Sequence, residues 1–167
     1  MPGQVAVVGS ANIDLVMTLP HLPRKGESVT AGSFSRTFGG KGSNQAVAAR
    51  RARAGVTAVF NLGDDADAGR LLETYREEGL DVARIRLNPG EACGTAIILV
   101  DGAGDNTIAI FPGANGSFRP DQVDEAAEDL RGADLVMLQM EVADSVNRRA
   151  IELAGRGGAE VMLNFAP

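Results

Sequence analysis

Apolar and polar residues follow two alternating patterns along the chain. Short, mainly apolar runs typical of buried strands lie at residues 4–8, 56–62, 82–87, 134–140 and 160–164. Helical patterns lie between them, at about residues 42–54, 63–79 and 120–130 and from residue 145 onward. This strand–helix alternation predicts an α/β fold, with a parallel sheet flanked by helices and joined by right-handed crossovers.

Two regions, roughly residues 14–36 and 94–111, do not fit this alternation. Residues 27–38 alternate between apolar and polar, which predicts one or two strands with a solvated face. Residues 94–100 and 107–111 read as two strands, and the Gly- and Asp-rich stretch between them reads as a hairpin connection. We predict that both regions form a small second sheet projecting from the main one.

A glycine-rich stretch, FGGKGSNQAVAAR at residues 38–50, leads directly into the first helix, for which Gly55 is the expected cap. Glycine lets the backbone approach a ligand closely, and the free N–H groups at a helix start favour electron-rich oxygens. Lys41 and Asn44 add donors there. The spacing matches neither a Walker A loop nor a dinucleotide fingerprint. Spacing alone leaves two readings open, an oxygen-rich ligand site or a tight turn with a solvated lysine.

Polar residues also follow two of the predicted strands. Asn12 and Asp14 lie just past the first strand, and Glu141 ends the strand at 134–140. Ligands of parallel α/β sheets bind at the carboxyl ends of strands, and residues two apart in extended chain point the same way. These groups suit sugar hydroxyls. A polar turn or a helix cap remains the alternative for Asn12 and Asp14, and a surface acid closing the strand remains the alternative for Glu141.

Composition narrows the functional class. The net charge of −6 argues against a nucleic-acid surface, and no apolar run reaches the roughly 18 residues of a membrane span. A single cysteine, Cys93, rules out an internal disulfide and suits a reducing cytosol, and the N-terminal residues lack the features of a signal peptide. The acidic start of the helix at 63–79 complements the helix dipole, so we predict no metal site. We expect a cytoplasmic protein without nucleic-acid or membrane partners.

Four blocks, GSANID at 9–14, GGKGSNQA at 39–46, PGAN at 112–115 and QME at 139–141, resemble the PfkB carbohydrate-kinase family, especially its ribokinase branch. They span nearly the whole chain in family order. The resemblance implies a partial ribokinase-like (Rossmann-like) sheet with a small β-lid. It also implies ATP-dependent phosphorylation of D-ribose to D-ribose 5-phosphate with Mg²⁺ and possible use of a monovalent cation. Another sugar or nucleoside kinase of the family, such as a fructokinase or adenosine kinase, and a non-catalytic sugar-binding module remain alternatives.

The resemblance also assigns substrate-binding residues. The lid residue on the sugar's apolar edge corresponds to Ala96 or Ile108. The polar and glycine positions that it implies are Asn12, Asp14, Gly40, Lys41, Asn44 and Glu141.

The family's catalytic aspartate belongs to a Gly-Ala-Gly-Asp motif, and residues 102–105 spell those letters. The family motif lies far towards the C-terminus at a helix start, whereas here the letters join two predicted lid strands. We therefore reject Asp105 as the base. The resemblance then implies that this chain is an N-terminal portion without the catalytic aspartate or the ATP-binding half, inactive alone, and homodimeric through its lid strands.

Overall fold

A computed structural model describes residues 3–166 as two sheets and five α-helices. The strands are β1 (Gln4–Gly9), β2 (Asn12–Thr18), β3 (Ser33–Gly39), β4 (Gly55–Gly63), β5 (Arg86–Asn88), β6 (Gly94–Val100), β7 (Asn106–Phe111), β8 (Leu135–Gln139) and β9 (Glu160–Asn164). The helices are α1 (Lys41–Arg51), α2 (Ala66–Glu77), α3 (Pro120–Asp124), α4 (Ala127–Gly132) and α5 (Asp144–Gly157), and a 3₁₀ turn spans Gly113–Asn115. No helix of the described residues is long and apolar enough to cross a membrane.

The main sheet is entirely parallel, in the order β5-β4-β1-β8-β9. Alternate residues of β1 pack on opposite faces because side chains alternate along a strand. Ala6 and Val8 join the cluster formed with α3, α4 and α5, whereas Val7 joins the cluster formed with α1 and α2. The predicted α/β architecture with helices on both faces is therefore confirmed.

The second sheet has the order β3-β2-β6-β7, with β2 parallel to β6 and antiparallel to β3. Only Ser10 and Ala11 separate β1 from β2, so the carboxyl end of the central strand adjoins the base of the second sheet. The strands expected near 94–100 and 107–111 are present.

The strand expected from residue 27 begins only at Ser33. The chain before it closes on itself instead. The Glu27 carboxylate accepts hydrogen bonds from the backbone N of Arg24 and the ring of His21. These local bonds replace the ladder that a strand would need.

Gly55 does not cap the first helix; it is the first residue of β4. The chain reverses earlier, at Arg53, whose φ of 70° lies in the left-handed region. Bonds from the backbone N of Ala52 to the carbonyl of Ala48, and of Ala54 to that of Ala49, close the helix end without glycine.

Two further segments are shorter than predicted. The helix expected over 120–130 is broken into α3 and α4 around Ala126, whose N–H donates to Val123 in a tight turn. The strand expected at 82–87 is confined to β5, because residues 81–85 form a turn in which Ile85 donates to Val82.

Candidate functional site

The glycine-rich segment packs directly on the carboxyl end of β1. Gly40 has a φ of 90°, and a Cβ there would lie 2.9 Å from the Cα of Ala11. A Cβ on Gly42 would lie 2.7 Å from the backbone N and O of Ser10. Such separations leave no room for a side chain. The missing Cβ atoms let the start of α1 lie against Ser10 and Ala11.

The Glu141 carboxylate joins three separate segments at this point. Its Oε2 accepts hydrogen bonds from the Ser10 hydroxyl (2.6 Å) and the backbone N of Lys41 (2.8 Å). Its Oε1 pairs with the Lys41 ammonium at 3.0 Å. The acid after β8 therefore acts as the anion at the N-terminus of α1, which the helix dipole also favours.

Gln139, the last residue of β8, is completely buried and binds the backbone of Glu141. Its Nε2 donates to the carbonyl of Val8 (2.9 Å), and its Oε1 accepts from the backbone N of Glu141 (3.2 Å). A Cβ on Gly9 would overlap the Gln139 amide, so this glycine provides the space for it.

Asn115, at the end of the 3₁₀ turn, binds the other side of the same loop. Its Oδ1 accepts from the backbone N of Ala11 (3.0 Å), and its Nδ2 donates to the carbonyl of Ala11 (3.2 Å) and to Oδ1 of Asn12 (2.8 Å). Both asparagines are buried. The Asn12 side chain is therefore fixed at the base of the second sheet.

These groups line a cavity of about 140 Å³ between the carboxyl end of the main sheet and the second sheet. Its walls are Ser10, Asn12, Ile110, Pro112, Asn115 and Glu141. A cavity of roughly 150 Å³ can hold a benzene-sized ring. Polar groups converge on one wall and apolar side chains form the other, an arrangement suited to a small polyhydroxylated ring.

The two carboxylates at this site differ in their electrostatics. Burial raises the pKa of Asp14, and the nearby negative charge of Glu141 raises it further, against the opposing effect of Lys41. Burial also favours the neutral form of Glu141, but the hydrogen bonds from Lys41 and Ser10 outweigh it and hold the pKa of Glu141 below its ordinary value. Glu141 is thus a fixed anion, whereas no hydrogen bond from the residues that the structure describes offsets the burial of the Asp14 carboxylate.

The structure brings most of the residues singled out from sequence to one place. Asn12 and Glu141 line the cavity, Lys41 binds Glu141, and Gly40 packs on the loop after β1. Asp14 is half-buried on β2 and is not among the residues that line the cavity. A Cβ on Gly39, which pairs with Asn12 across the ladder, would lie 2.0 Å from the Asp14 Oδ2.

Three further predicted substrate-binding residues do not line the cavity. Asn44 is exposed on α1 and lines the depressions that flank this helix, not the cavity. Ala96 is buried, pairs with Asp14 on one side and faces Ile110 on the other. Ile108 is half exposed and lies opposite Ile98, one step farther from the cavity than Ile110.

Sequence reasoning missed five residues of this site, namely Ser10, Gln139, Asn115, Pro112 and Ile110. The first four belong to the motif blocks, but the motifs alone give them no role. Ile110 shares the strand face of Ile108, so its alternation was visible while its position relative to the cavity was not.

Asp105 lies in the exposed turn between β6 and β7, where its backbone N donates to the Asp101 carboxylate. At about 3.3 Å per residue, it is roughly 16 Å along β7 from Ile110. This position is the predicted hairpin connection and not a helix start.

Comparison with known proteins identifies the family of the chain. The family model described as pfkB family carbohydrate kinase matches residues 3–167. The chain belongs to the pfkB family of carbohydrate kinases. Among pfkB relatives, a deoxyribokinase of Salmonella typhi is 37% identical over 163 residues, which are 98% of this chain and 53% of that protein. A ribokinase of Staphylococcus aureus is 33% identical over 168 residues, covering 100% of this chain and 55% of its own length.

A solved pfkB structure, the Arabidopsis thaliana ribokinase complexed with ribose and ATP, superposes with a TM-score of 0.89 at 31% identity. The match covers 99% of this chain and 54% of that one. The ribokinase-like fold predicted from the motifs is confirmed, and the chain spans about half the length of the curated relatives that it matches.

The opposite pKa shifts predict opposite effects of acid on stability. Because the folded pKa of Glu141 is lowered, its contribution is complete above its unfolded pKa of about 4.3 and is lost as the pH falls through the folded value. Glu141→Gln should therefore cost about 1.5–3 kcal/mol at pH 7, typical of hydrogen bonds to a charged group, and less below pH 4. Denaturant titrations across this range measure the difference.

Asp14→Asn should do the reverse and stabilise the fold at pH 7, since the raised folded pKa of Asp14 disfavours its charge. The advantage should fade as acid protonates Asp14 in the wild type. Glu73→Gln, at an exposed site on α2, is the matched control for Glu141→Gln. A pH-independent loss in Glu141→Gln would contradict the assignment of Glu141 as a fixed anion.

Proposed function

We propose that this chain is the sugar-binding part of a ribokinase-type enzyme that phosphorylates D-ribose to D-ribose 5-phosphate with ATP. The observation that carries the proposal is the convergence of Asn12, Asn115 and Glu141 on one small cavity at the carboxyl end of β1, where Lys41 holds the Glu141 carboxylate. The likeness to kinases of ribose and deoxyribose supports a pentose as the ligand.

The chemistry of the cavity suits sugar hydroxyls. The carboxylates of Asp14 and Glu141 accept hydrogen bonds from hydroxyl groups, and charge-assisted bonds of this kind are the stronger ones. A sugar lacking a recognised hydroxyl would leave a buried carboxylate oxygen unpaired, which disfavours its binding. Ile110 and Pro112 provide an apolar wall for the carbon face of the ring.

The second sheet is the proposed β-lid, with strands within about residues 14–36 and 94–111. It reaches the site through β2 and β7, so its movement would carry Asp14 and Ile110 with it. An ion pair between Arg36 on β3 and Asp67 on α2 joins the sheet to the main domain from the outside.

The described residues do not form a cluster of metal-ligating side chains. In residues 3–166, no group of three or more His, Cys, Asp or Glu side chains is placed to hold a metal ion. We expect ATP, Mg²⁺, any monovalent cation and the catalytic aspartate to be held by the region of the relatives that this chain does not span. The 167 residues alone are then expected to bind sugar without releasing ADP. We place the protein in the cytoplasm, without nucleic-acid or membrane partners.

Deoxyribose is the second candidate substrate. The deoxyribokinase relative is 37% identical, and the apolar wall formed by Ile110 and Pro112 would accept a CH₂ group where ribose has a hydroxyl. Titrating ribose and deoxyribose into the same preparation and comparing their affinities distinguishes the two candidate substrates.

Replacing Asp14 tests the proposed sugar site. Asp14→Asn removes a charged acceptor worth about 1.5–3 kcal/mol, so ribose affinity in isothermal calorimetry should fall at least about tenfold. Asp105→Asn makes the same change in the turn between β6 and β7 and should leave the affinity unchanged. Equal affinity of wild type and Asp14→Asn would remove Asp14 from the site.

We also propose a homodimer through the second sheet. Several large apolar side chains of this sheet are exposed, among them Phe34, Ile97 and Phe111 at 60%, 45% and 59%. Light scattering at tens of micromolar, a range typical of weak specific interfaces, should give about twice the 17.3 kDa chain mass.

Placing a charge on the exposed face of the second sheet tests whether this sheet forms the dimer interface. Ile97→Asp should shift the protein towards monomer, whereas Ile151→Asp, at an exposed position of α5, should not. A monomeric wild type at these concentrations would exclude the dimer.

A further inference from the structure

We infer that Asn115 is a positioning residue that fixes the direction of the Asn12 amide, so that Asn12 presents hydrogen-bond donors to the sugar. The inference concerns the amide pair itself, and its consequence for sugar recognition rests on the proposed function. The chain of contacts starts from a backbone group and proceeds outward through two side chains.

The first step is the orientation of Asn115. The backbone N–H of Ala11 can only donate, so the Asn115 atom 3.0 Å from it must be the oxygen. The Asn115 nitrogen is then directed to the carbonyl of Ala11, at 3.2 Å. The backbone of Ala11 thus binds both ends of the Asn115 amide. If this amide were flipped, its NH₂ group would lie against the Ala11 N–H and its oxygen against the Ala11 carbonyl oxygen.

The second step transfers this orientation to Asn12. The Asn115 nitrogen also donates to Oδ1 of Asn12, at 2.8 Å. Asn115 and Asn12 are only 3% and 5% exposed, and unmatched polar atoms are costly in such a setting. The oxygen of Asn12 is therefore the atom directed towards Asn115.

Gly94 makes this contact possible. A Cβ at position 94 would lie 2.1 Å from the Asn115 nitrogen and 2.3 Å from the Asn12 oxygen. The first residue of β6 thus leaves space for two asparagines, on β2 and on the 3₁₀ turn, to meet.

The third step concerns the free end of Asn12. Across residues 3–166, its Nδ2 has no hydrogen-bond acceptor, although Asn12 lines the cavity. This NH₂ group carries two donors. With the Asn12 oxygen engaged, the NH₂ group is the end available to a ligand.

The consequence is a division of roles at the site. Asn12 donates, whereas the carboxylates of Glu141 and Asp14 accept. An oxygen that accepts from Asn12 and donates to a carboxylate can only be a hydroxyl, because carbonyl and ether oxygens carry no proton. The oriented Asn12 amide and a carboxylate together thus select for a hydroxyl over a carbonyl or an ether at the same place.

Asn115→Asp tests the orientation directly. The introduced carboxylate still accepts from Ala11, but its second oxygen now faces the Asn12 oxygen, so Asn12 should turn and donate to that carboxylate. Hydrogen–deuterium exchange of side-chain amides, followed by NMR without sugar, reports this. In wild type the Asn115 NH₂ should be protected and the Asn12 NH₂ should exchange freely, whereas in the variant the Asn12 NH₂ should become protected.

Protection of the Asn12 NH₂ in wild type would overturn the inference, as would free exchange of this group in a folded Asn115→Asp variant. Asn106→Asp, the same substitution at the exposed start of β7, is the matched control and should change neither amide.

Ribose affinity separates this inference from the proposed function. Asn115→Asp should weaken binding at least about tenfold, and adding it to Asn12→Ala should cause no further loss. If wild type binds no ribose, the proposed function fails while the exchange experiment still decides the orientation. If wild type and Asn115→Asp bind equally well, the inference fails and the proposed function stands.

Asn12→Asp is the second variant in case Asn115→Asp does not fold. Its oxygen can still accept from Asn115, but it offers no donor to the cavity, so ribose affinity should again fall at least about tenfold while the Asn115 NH₂ stays protected. Unchanged affinity in Asn12→Asp would also overturn the inference.

Discussion

The close approach of the glycine-rich segment to the end of β1 is the constraint on which the site depends. Cβ atoms on Gly40 and Gly42 would lie within 3.0 Å of the backbone of residues 10–12. Only because they are absent does the backbone N of Lys41 reach the Glu141 carboxylate, which also accepts from Ser10. A helix start, a strand end and a loop are thereby joined through one anion, and the cavity forms above it.

The chain connection adds the second half of the site. Because Ser10 and Ala11 alone separate β1 from β2, the end of the main sheet and the base of the second sheet meet at the same loop. Asn115 holds this loop from one side, and Glu141 holds it from the other. Ser10, Asn115 and Glu141 therefore form the part of the polar wall outside the second sheet, which supplies Asn12 and the apolar side chain of Ile110.

Sequence reasoning predicted what local patterns determine. Strand periodicity located the second sheet, and polar residues at strand ends located Asn12 and Glu141. Sequence reasoning failed where contacts between distant parts of the chain determine the site. Asn115 contacts Ala11 across 104 positions of sequence, and Ser10 contacts Glu141 across 131. Ile108 and Ile110 share one strand face, and only the three-dimensional lining of the cavity shows that Ile110 is the one that lies there.

The central claim is that a pentose binds in the cavity beneath the second sheet. Backbone amide NMR during titration with D-ribose tests it most directly, since it locates a ligand without requiring turnover. The shifting amides are expected to cluster at residues 10–12, 40–42, 110–111, 113–115 and 141. Shifts confined to the depression lined by Arg84, Arg86 and Glu125, or to the groove beside Ala48 and Met137, would contradict it, as would no shifts at millimolar ribose.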